Sequence, residues 1–234
     1  MIRRIILSLC FVATCFSLMA QGNLKAYAEY DYYRTNKKGF AMSVVSDYQL
    51  ADNFNIGLGF QASATNRYAI DLRGQVNFLK VEKGRLYVEN RYLYRIFPSY
   101  GIQEFNALLD IGWQCQHFNV QLGLCNRYTA DIPLRNEGGM GTIFEPMNVM
   151  FNVQYHVFRD DHRWNIGLGI SNQHDFMIER FTLFFYTIDG YFNINDNWQL
   201  LGDFTLHPCG VLNLSAQFDG FRVKCGFNWM FNRK

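Results

Sequence analysis

The sequence is poor in charge, in helical periodicity and in cysteine patterns, and each shortage excludes something. Charged residues are only 18% of the 234-residue chain, little for a soluble surface. No segment after Gln21 repeats its apolar residues with a helical period, so no helix is expected to cover a sheet. Of six cysteines, Cys10 and Cys15 fall within the first 20 residues. The others, Cys115, Cys125, Cys209 and Cys225, form no CxxC pair and no zinc spacing. They read as small half-buried hydrophobes. A Cys115–Cys125 bridge would need a register that their opposite side-chain parities do not favour. Beyond residue 20 the chain carries 20 basic and 20 acidic side chains. That balance gives a nucleic-acid partner no basic surface to bind.

What is present is aromatic. Phe, Trp and Tyr make up 17% of the chain, yet mean hydropathy is only -0.12. Both hold together if apolar and polar residues alternate and cancel in the average. The first 20 residues stand apart: Arg3 and Arg4, an apolar run from Ile5 to Leu18, then Ala20. This is the form of a secretory signal peptide, with cleavage expected near Ala20. The apolar run falls short of the ~20 residues of a membrane anchor. Neither Cys10 nor Cys15 has the setting of a lipid-attachment site. The expected organisation is a signal peptide over 1–20 and one domain over 21–234.

Within that domain apolar residues recur at every second position. Tyr68, Ile70, Leu72, Val76 and Phe78 alternate with Asp71, Arg73, Gln75 and Asn77. Phe221, Val223, Cys225, Phe227, Trp229 and Phe231 alternate with Arg222, Lys224, Gly226 and Asn228. Alternation gives a strand one apolar and one polar face. Thirteen such runs are found: 23–34, 40–50, 54–64, 67–80, 85–97, 103–115, 118–128, 147–158, 163–172, 177–193, 197–207, 211–218 and 221–231. Most exceed the ~5–6 residues usual in soluble sheets and match the ~9–11 of membrane-spanning strands. The expected fold is all-β, a single antiparallel transmembrane β-barrel. Single-chain barrels have even strand numbers, so one run is misread, with the short 211–218, the long 177–193 and the tight link at Gln116–His117 as suspects. Twelve strands are expected, with 10 or 14 as alternatives.

Four runs begin with near-copies of one phrase: NFNIGLGF from Asn53, HFNVQLGL from His117, RWNIGLGI from Arg163 and NWQLLGDF from Asn197. The longest connection, Thr129 to Pro146, includes Arg135, Glu137, Gly138 and Gly139 and is expected to be extracellular, because long loops lie outside and short turns inside. All four phrases then open outward-running strands. Phe54, Phe118, Trp164 and Trp198 are expected to form an aromatic girdle at the periplasmic surface, where rings favour the interface.

With the leader, the dyad repeat and the aromatic-ended closing strand FRVKCGFNWMF, the chain resembles the β-barrels of the Gram-negative outer membrane. TIFEP and DFMIERF resemble stretches of a Bacteroides-type group of such proteins, to which no activity attaches. The resemblance implies residence in the outer membrane, a surround of outer-membrane lipid, and handling by the barrel-assembly machinery during biogenesis.

Some barrels of this kind are lipid hydrolases or acyltransferases, and resemblance to those would require His-x-Ser on one strand, so that base and nucleophile share a face. None of His117, His156, His162, His174 and His207 has a serine two residues on; Ser171 and His174 are three apart. The histidines and nearby Asp160, Asp161 and Asp175 read as a solvated rim rather than a metal site. No cofactor is expected.

By parity, Asp71, Arg73, Glu89, Arg91, Arg95, Asp110 and Arg127 point into the lumen, with Glu104 alongside. A charge facing lipid at the midplane would cost ~2–4 kcal/mol. These charges either pair and plug a narrow barrel or line a small polar pore of mixed sign. Lumen glycines, among them Gly57 and Gly59, make room beside them. Glu179 and Arg180 cannot both face inward on a regular strand, so a rim or a bulge is expected there. Asp219–Gly220 reads as a two-residue hairpin turn. The expected function is a narrow porin-like channel for small solutes. The alternatives are a docking barrel that uses the 129–146 loop for a ligand or partner, and a lipid-modifying enzyme.

Overall fold

A computed structural model describes residues 21–33, 38–64, 67–81, 84–132, 141–157, 163–180, 183–209 and 217–231. The expected signal peptide lies outside these residues, as do Arg135, Glu137, Gly138 and Gly139. The strands are β1 (Gln21–Tyr33), β2 (Lys38–Ala51), β3 (Phe54–Ser63), β4 (Tyr68–Val81), β5 (Gly84–Phe97), β6 (Ile102–Cys115), β7 (Phe118–Asp131), β8 (Ile143–His156), β9 (Trp164–Ser171), β10 (Gln173–His174), β11 (Met177–Ile178), β12 (Phe185–Asn193), β13 (Trp198–Cys209) and β14 (Gln217–Phe231). Twelve of them, all but β10 and β11, form a closed antiparallel barrel in chain order. The ring closes where β14 pairs with β1, from Gly22 opposite Phe231 to Tyr33 opposite Gly220.

The alternation explains the closure. Outward positions such as Ile70 and Leu72, Leu109 and Ile111, Leu122 and Leu124, and Leu168 and Ile170 are exposed large hydrophobics. Met42 is 71% exposed and Leu122 61%. Apolar surface on this scale is not tolerated in water and is what a hydrocarbon surround requires. Closure leaves no strand edge for lipid to face.

The short turns 52–53, 116–117 and 194–197 lie at one end with Gln21 and Phe231, and the strand ends Asp131, Ile143, Ser171 and Phe185 at the other. Phe54, Phe118, Trp164 and Trp198 begin their strands at the short-turn end. Rings gather there: Phe118 against Tyr155 at 5.0 Å, Trp198 stacked on Trp229 at 6.2 Å, and Phe231 beside Tyr48 at 5.8 Å.

Four readings need correction. The 177–193 run is a wall strand only from Phe185; the described residues 172–180 leave the wall. Three consecutive apolar residues (Phe176, Met177, Ile178) followed by Glu179–Arg180 cannot sort onto two faces, and the segment folds instead as a hairpin of its own. Glu179 and Arg180 therefore lie beyond that hairpin rather than on a bulged strand. Asp219–Gly220 is no turn: β14 runs through it, and a bulge opposite His207 and Pro208 absorbs the extra residue. No separate strand therefore precedes β14 at 217–218, while 211–216 lie outside the described residues. The long connection shrinks to 132–142, because Ile143–Pro146 belong to β8. Pro146 is accommodated at a bulge opposite Asn126, where a missing ladder donor is tolerated. Met147 beside it takes a positive φ of 53° and donates its backbone N–H to Asn126 Oδ1 at 3.0 Å.

Candidate functional site

The lumen charges form linked networks. Asp71, fully buried, accepts from Arg91 Nε and Nη2 at 2.8 and 3.0 Å and from Arg73 Nε at 2.8 Å. Arg73 shares its strand and face with Asp71, whereas Arg91 reaches over from β5. A second network joins β5 to β8. Arg95 Nη2 meets Glu104 at 2.5 Å, Arg127 lies 3.6 Å from Glu104 and 3.5 Å from Glu145, and Asn106 donates to Glu104 at 2.6 Å. Glu89 faces Asp110 directly across the β5–β6 pair.

A third network crosses the closing seam. Arg222 on β14 meets Asp31 on β1 at 2.7 Å and Glu29 at 3.9 Å; Arg67 meets Asp31 at 3.2 Å, and Gln61 donates to Glu29 at 2.8 Å. None of these was singled out from sequence, although Glu29, Asp31, Arg222 and Lys224 follow the same inward parity and could have been.

The largest departure from the sequence reading is the β10–β11 hairpin, which descends from the long-loop end into the lumen. Its tip is Asp175–Phe176. Asp175 has φ 43°, the positive value a two-residue hairpin turn needs and one that Asp tolerates better than most residues. Phe176 and Ile178 are buried against Val45, Ala69, Leu93, Leu108, Cys125 and Met150, one inward residue from each of β2, β4, β5, β6, β7 and β8. A Cβ at Gly59 would sit 2.9 Å from the Phe176 ring, so the glycine is what lets the ring reach the wall.

Polar clamps hold the hairpin from all sides. Arg127 Nη2 donates to Ile178 O at 2.8 Å and Arg95 Nη1 to Phe176 O at 3.3 Å. Gln173 Nε2 donates to Asp110 Oδ1 at 3.2 Å. His174 shares a 2.8 Å hydrogen bond with Asp203. Asp175 pairs with Lys224, and Arg180 with Glu145. Asn172 joins hairpin to wall, accepting from Phe151 N and donating to Val149 O, both at 2.8 Å. Four of the eight charges read as lumenal thus shape the seat of one inserted segment: Arg95, Asp110 and Arg127 directly, and Glu104 through the two arginines.

Burial would raise the Asp175 carboxyl, but the Lys224 ammonium, with His174 and Arg73 nearby, holds it well below the usual carboxylate range. A carboxyl lowered in the folded state contributes stability that is present above its unfolded pKa and lost as pH falls through the folded one. The Asp175 share of hairpin seating should therefore be constant from neutral pH down to about 4 and fade only below that. The difference in conductance between wild type and Asp175→Asn is expected to stay level over that range and to close in stronger acid. A difference that closes between pH 7 and 5 would contradict this.

Below the hairpin tip, a cavity of about 470 Å³ opens toward the short-turn end. Asn23, Asp47, Asn55, Arg73, Gln75 and Glu89 are among its lining residues. Ser171, the serine nearest in sequence to His174, donates to the Phe151 carbonyl at 3.0 Å rather than to the imidazole. Among the described residues no three His, Cys, Asp or Glu side chains cluster as metal ligands would. Cys115, Cys125 and Cys225 are free thiols.

No protein-family model matches the sequence, and no curated protein matches it. Solved barrels do match the fold. The outer membrane protein Omp33 of Acinetobacter baumannii aligns with 13% identity and a TM-score of 0.53 over 91% of this chain and 98% of its own. The NanC porin aligns with 9% identity and a TM-score of 0.55, over 88% and 98%. The KdgM porin in complex with disordered oligogalacturonate aligns with 7% identity and a TM-score of 0.57, over 89% and 99%. At such identities the likeness is one of fold: this chain has the fold of the Gram-negative outer-membrane β-barrels.

Proposed function

We propose that this barrel resides in the outer membrane and works as a narrow porin-like channel for small solutes, its bore set by the inserted hairpin. The observation that carries the reading is the cavity that runs up the lumen from the short-turn mouth, lined by Gln21, Tyr48 and Phe231, to the level of Arg73 and Glu89. A space of about 470 Å³ that reaches charged side chains inside the lumen is room for a small solute rather than a packing defect. Short turns are periplasmic in such barrels, so the cavity opens to the periplasm and the hairpin enters from outside. Outer-membrane lipid is the surround, the ring of Phe54, Phe118, Trp164 and Trp198 sits at the periplasmic interface, and the barrel-assembly machinery is the biogenesis partner. TIFEP and DFMIERF support a place in the Bacteroides-type group.

Reconstitution in planar bilayers tests the reading. Small stepwise currents are expected, with a changed step size in Asp110→Ala, which loosens Gln173. A barrel that shifts on gels when heated yet stays silent under voltage would rule the channel out.

A further inference from the structure

We infer that the cavity beneath the hairpin tip binds a small zwitterion, a free amino acid or a short peptide with both ends unblocked. The inference names the solute class of the channel proposed above and rests on that reading for its biological setting, although not for the binding itself.

Two opposite charges line the cavity, Arg73 and Glu89, and among the described residues they form no ion pair with each other. Arg73 spends Nε on Asp71 at 2.8 Å, and neither of its terminal nitrogens makes a hydrogen bond among the described residues. Glu89 makes no hydrogen bond and no ion pair there. The register sets Arg73 opposite Arg91 and Gln75 opposite Glu89, so Arg73 and Glu89 are diagonal neighbours with stems ~7–8 Å apart. Long side chains can span that distance, yet the two form no ion pair among the described residues, and both line the cavity, where a ligand can bring a carboxylate to the guanidinium and an ammonium to the Glu89 carboxylate.

A second carboxylate flanks Arg73 on its other side. Asp47 on β2, Gly57 on β3 and Arg73 on β4 form one row across the wall. A Cβ at Gly57 would stand 2.8 Å from Asp47 Oδ1 and 3.5 Å from Arg73 Cβ, so the glycine keeps the space between the two charges open. Asp47 is itself tied to Lys25 at 3.2 Å, which leaves Glu89 as the carboxylate free to take a cation. Around this pair Asn55 and Gln75 offer neutral amides that orient a ligand without adding charge.

Other solute classes fit less well. A plain anion would meet Glu89 and Asp47, and a plain cation would meet Arg73. A neutral sugar would cover both groups and offer a counter-charge to neither. Only a ligand carrying both signs satisfies both walls, and charge-assisted hydrogen bonds are the strong ones.

The test is calorimetric titration of the full barrel in detergent micelles at pH 7, with alanine and dialanine as probes. N-acetylalanine lacks the ammonium, alaninamide lacks the carboxylate and glucose lacks both. Alanine and dialanine are expected to bind at least about tenfold more tightly than any of the three controls, the discrimination expected when a charged partner is lost. Arg73→Gln should erase the preference for alanine over alaninamide, and Glu89→Gln the preference over N-acetylalanine. This exchange of preferences is a readout that misfolding would not produce. Gly57→Leu should abolish binding of all probes while the barrel still shifts on heating. Equal binding of glucose or of either blocked analogue overturns the inference, as does no binding by a barrel that conducts. Binding by a barrel that does not conduct would leave the zwitterion site standing and remove the channel.

Discussion

Replacing Gln173–Ile178 with a glycine–serine link of equal length is expected to raise single-channel conductance several-fold while the barrel remains intact. The hairpin is the only described segment that leaves the wall for the lumen, and Phe176 and Ile178 fill the lumen between β2 and β4 to β8. Without it the inner faces of β2 and β4 to β8 are left with an apolar band in contact with water, and Arg95 and Arg127 lose the carbonyls they hold. The wall does not depend on these contacts, because the closed ladder of twelve strands is complete without the hairpin. Phe176→Ala should act in the same direction. Removing a ring this deeply buried costs ~3–5 kcal/mol, here drawn from hairpin seating rather than from barrel stability, so the expected signature is frequent switching between two current levels. Unchanged conductance in both variants would place the constriction elsewhere.

Asp71→Asn is expected to destabilise the barrel by ~3–5 kcal/mol, the loss typical when one partner of a buried ion pair is removed. Arg73 and Arg91 face each other directly across the β4–β5 ladder, and the Asp71 carboxylate is what allows two guanidinium groups to share that position. Asparagine keeps the volume but offers one neutral oxygen where three charge-assisted bonds now converge. Urea unfolding in lipid vesicles should report the loss, and Asp71→Asn combined with Arg91→Gln should recover a large part of it. A destabilisation equal to the sum of the two single changes would mean that the residues do not act together. The same substitution frees Arg73 Nε and should weaken alanine binding without touching the cavity wall, which ties the structural and binding roles of one carboxylate.

The wall was legible in the sequence because its physics is local. A two-residue period decides which face Leu72 and Arg73 occupy, whatever lies across the barrel, and the short turns follow from where that period stops. The hairpin was not legible because its partners are remote: Phe176 is buried by residues of six different strands, none near it in sequence. Two signs of it were present. Val45, Leu93, Leu108 and Cys125 sit at inward positions of otherwise polar faces, where apolar side chains have no purpose unless something covers them. The run Phe176–Ile178 breaks alternation just before Glu179–Arg180 breaks it again. Asp219–Gly220 misled for the opposite reason. Its local preference for a turn is real, but pairing on both sides with β1 and β13 outweighs it, and a bulge costs less than ending the strand. The lumen charges were read one strand at a time, which is why the seam pairs of β1 and β14, nearly the full chain apart, were left out of the cluster.

The barrel wall is uneven in height. β5 and β6 each run for 14 residues, whereas β9 has 8 and its neighbour β12 has 9. At ~3.3 Å per residue and a tilt of ~40°, the long side stands ~35 Å tall and the short side ~20 Å. An apolar band of ~25 Å is usual for such barrels, so the long side exceeds it and the short side falls below. Hydrophobic mismatch is therefore lopsided. Acyl chains beside Ile166, Leu168 and Ile188 must shorten or tilt to keep their ends off polar backbone, while those beside Leu109 and Leu122 need not. The molecule carries a fixed direction in the plane of the membrane, with the thinnest lipid next to the strands from which the hairpin departs.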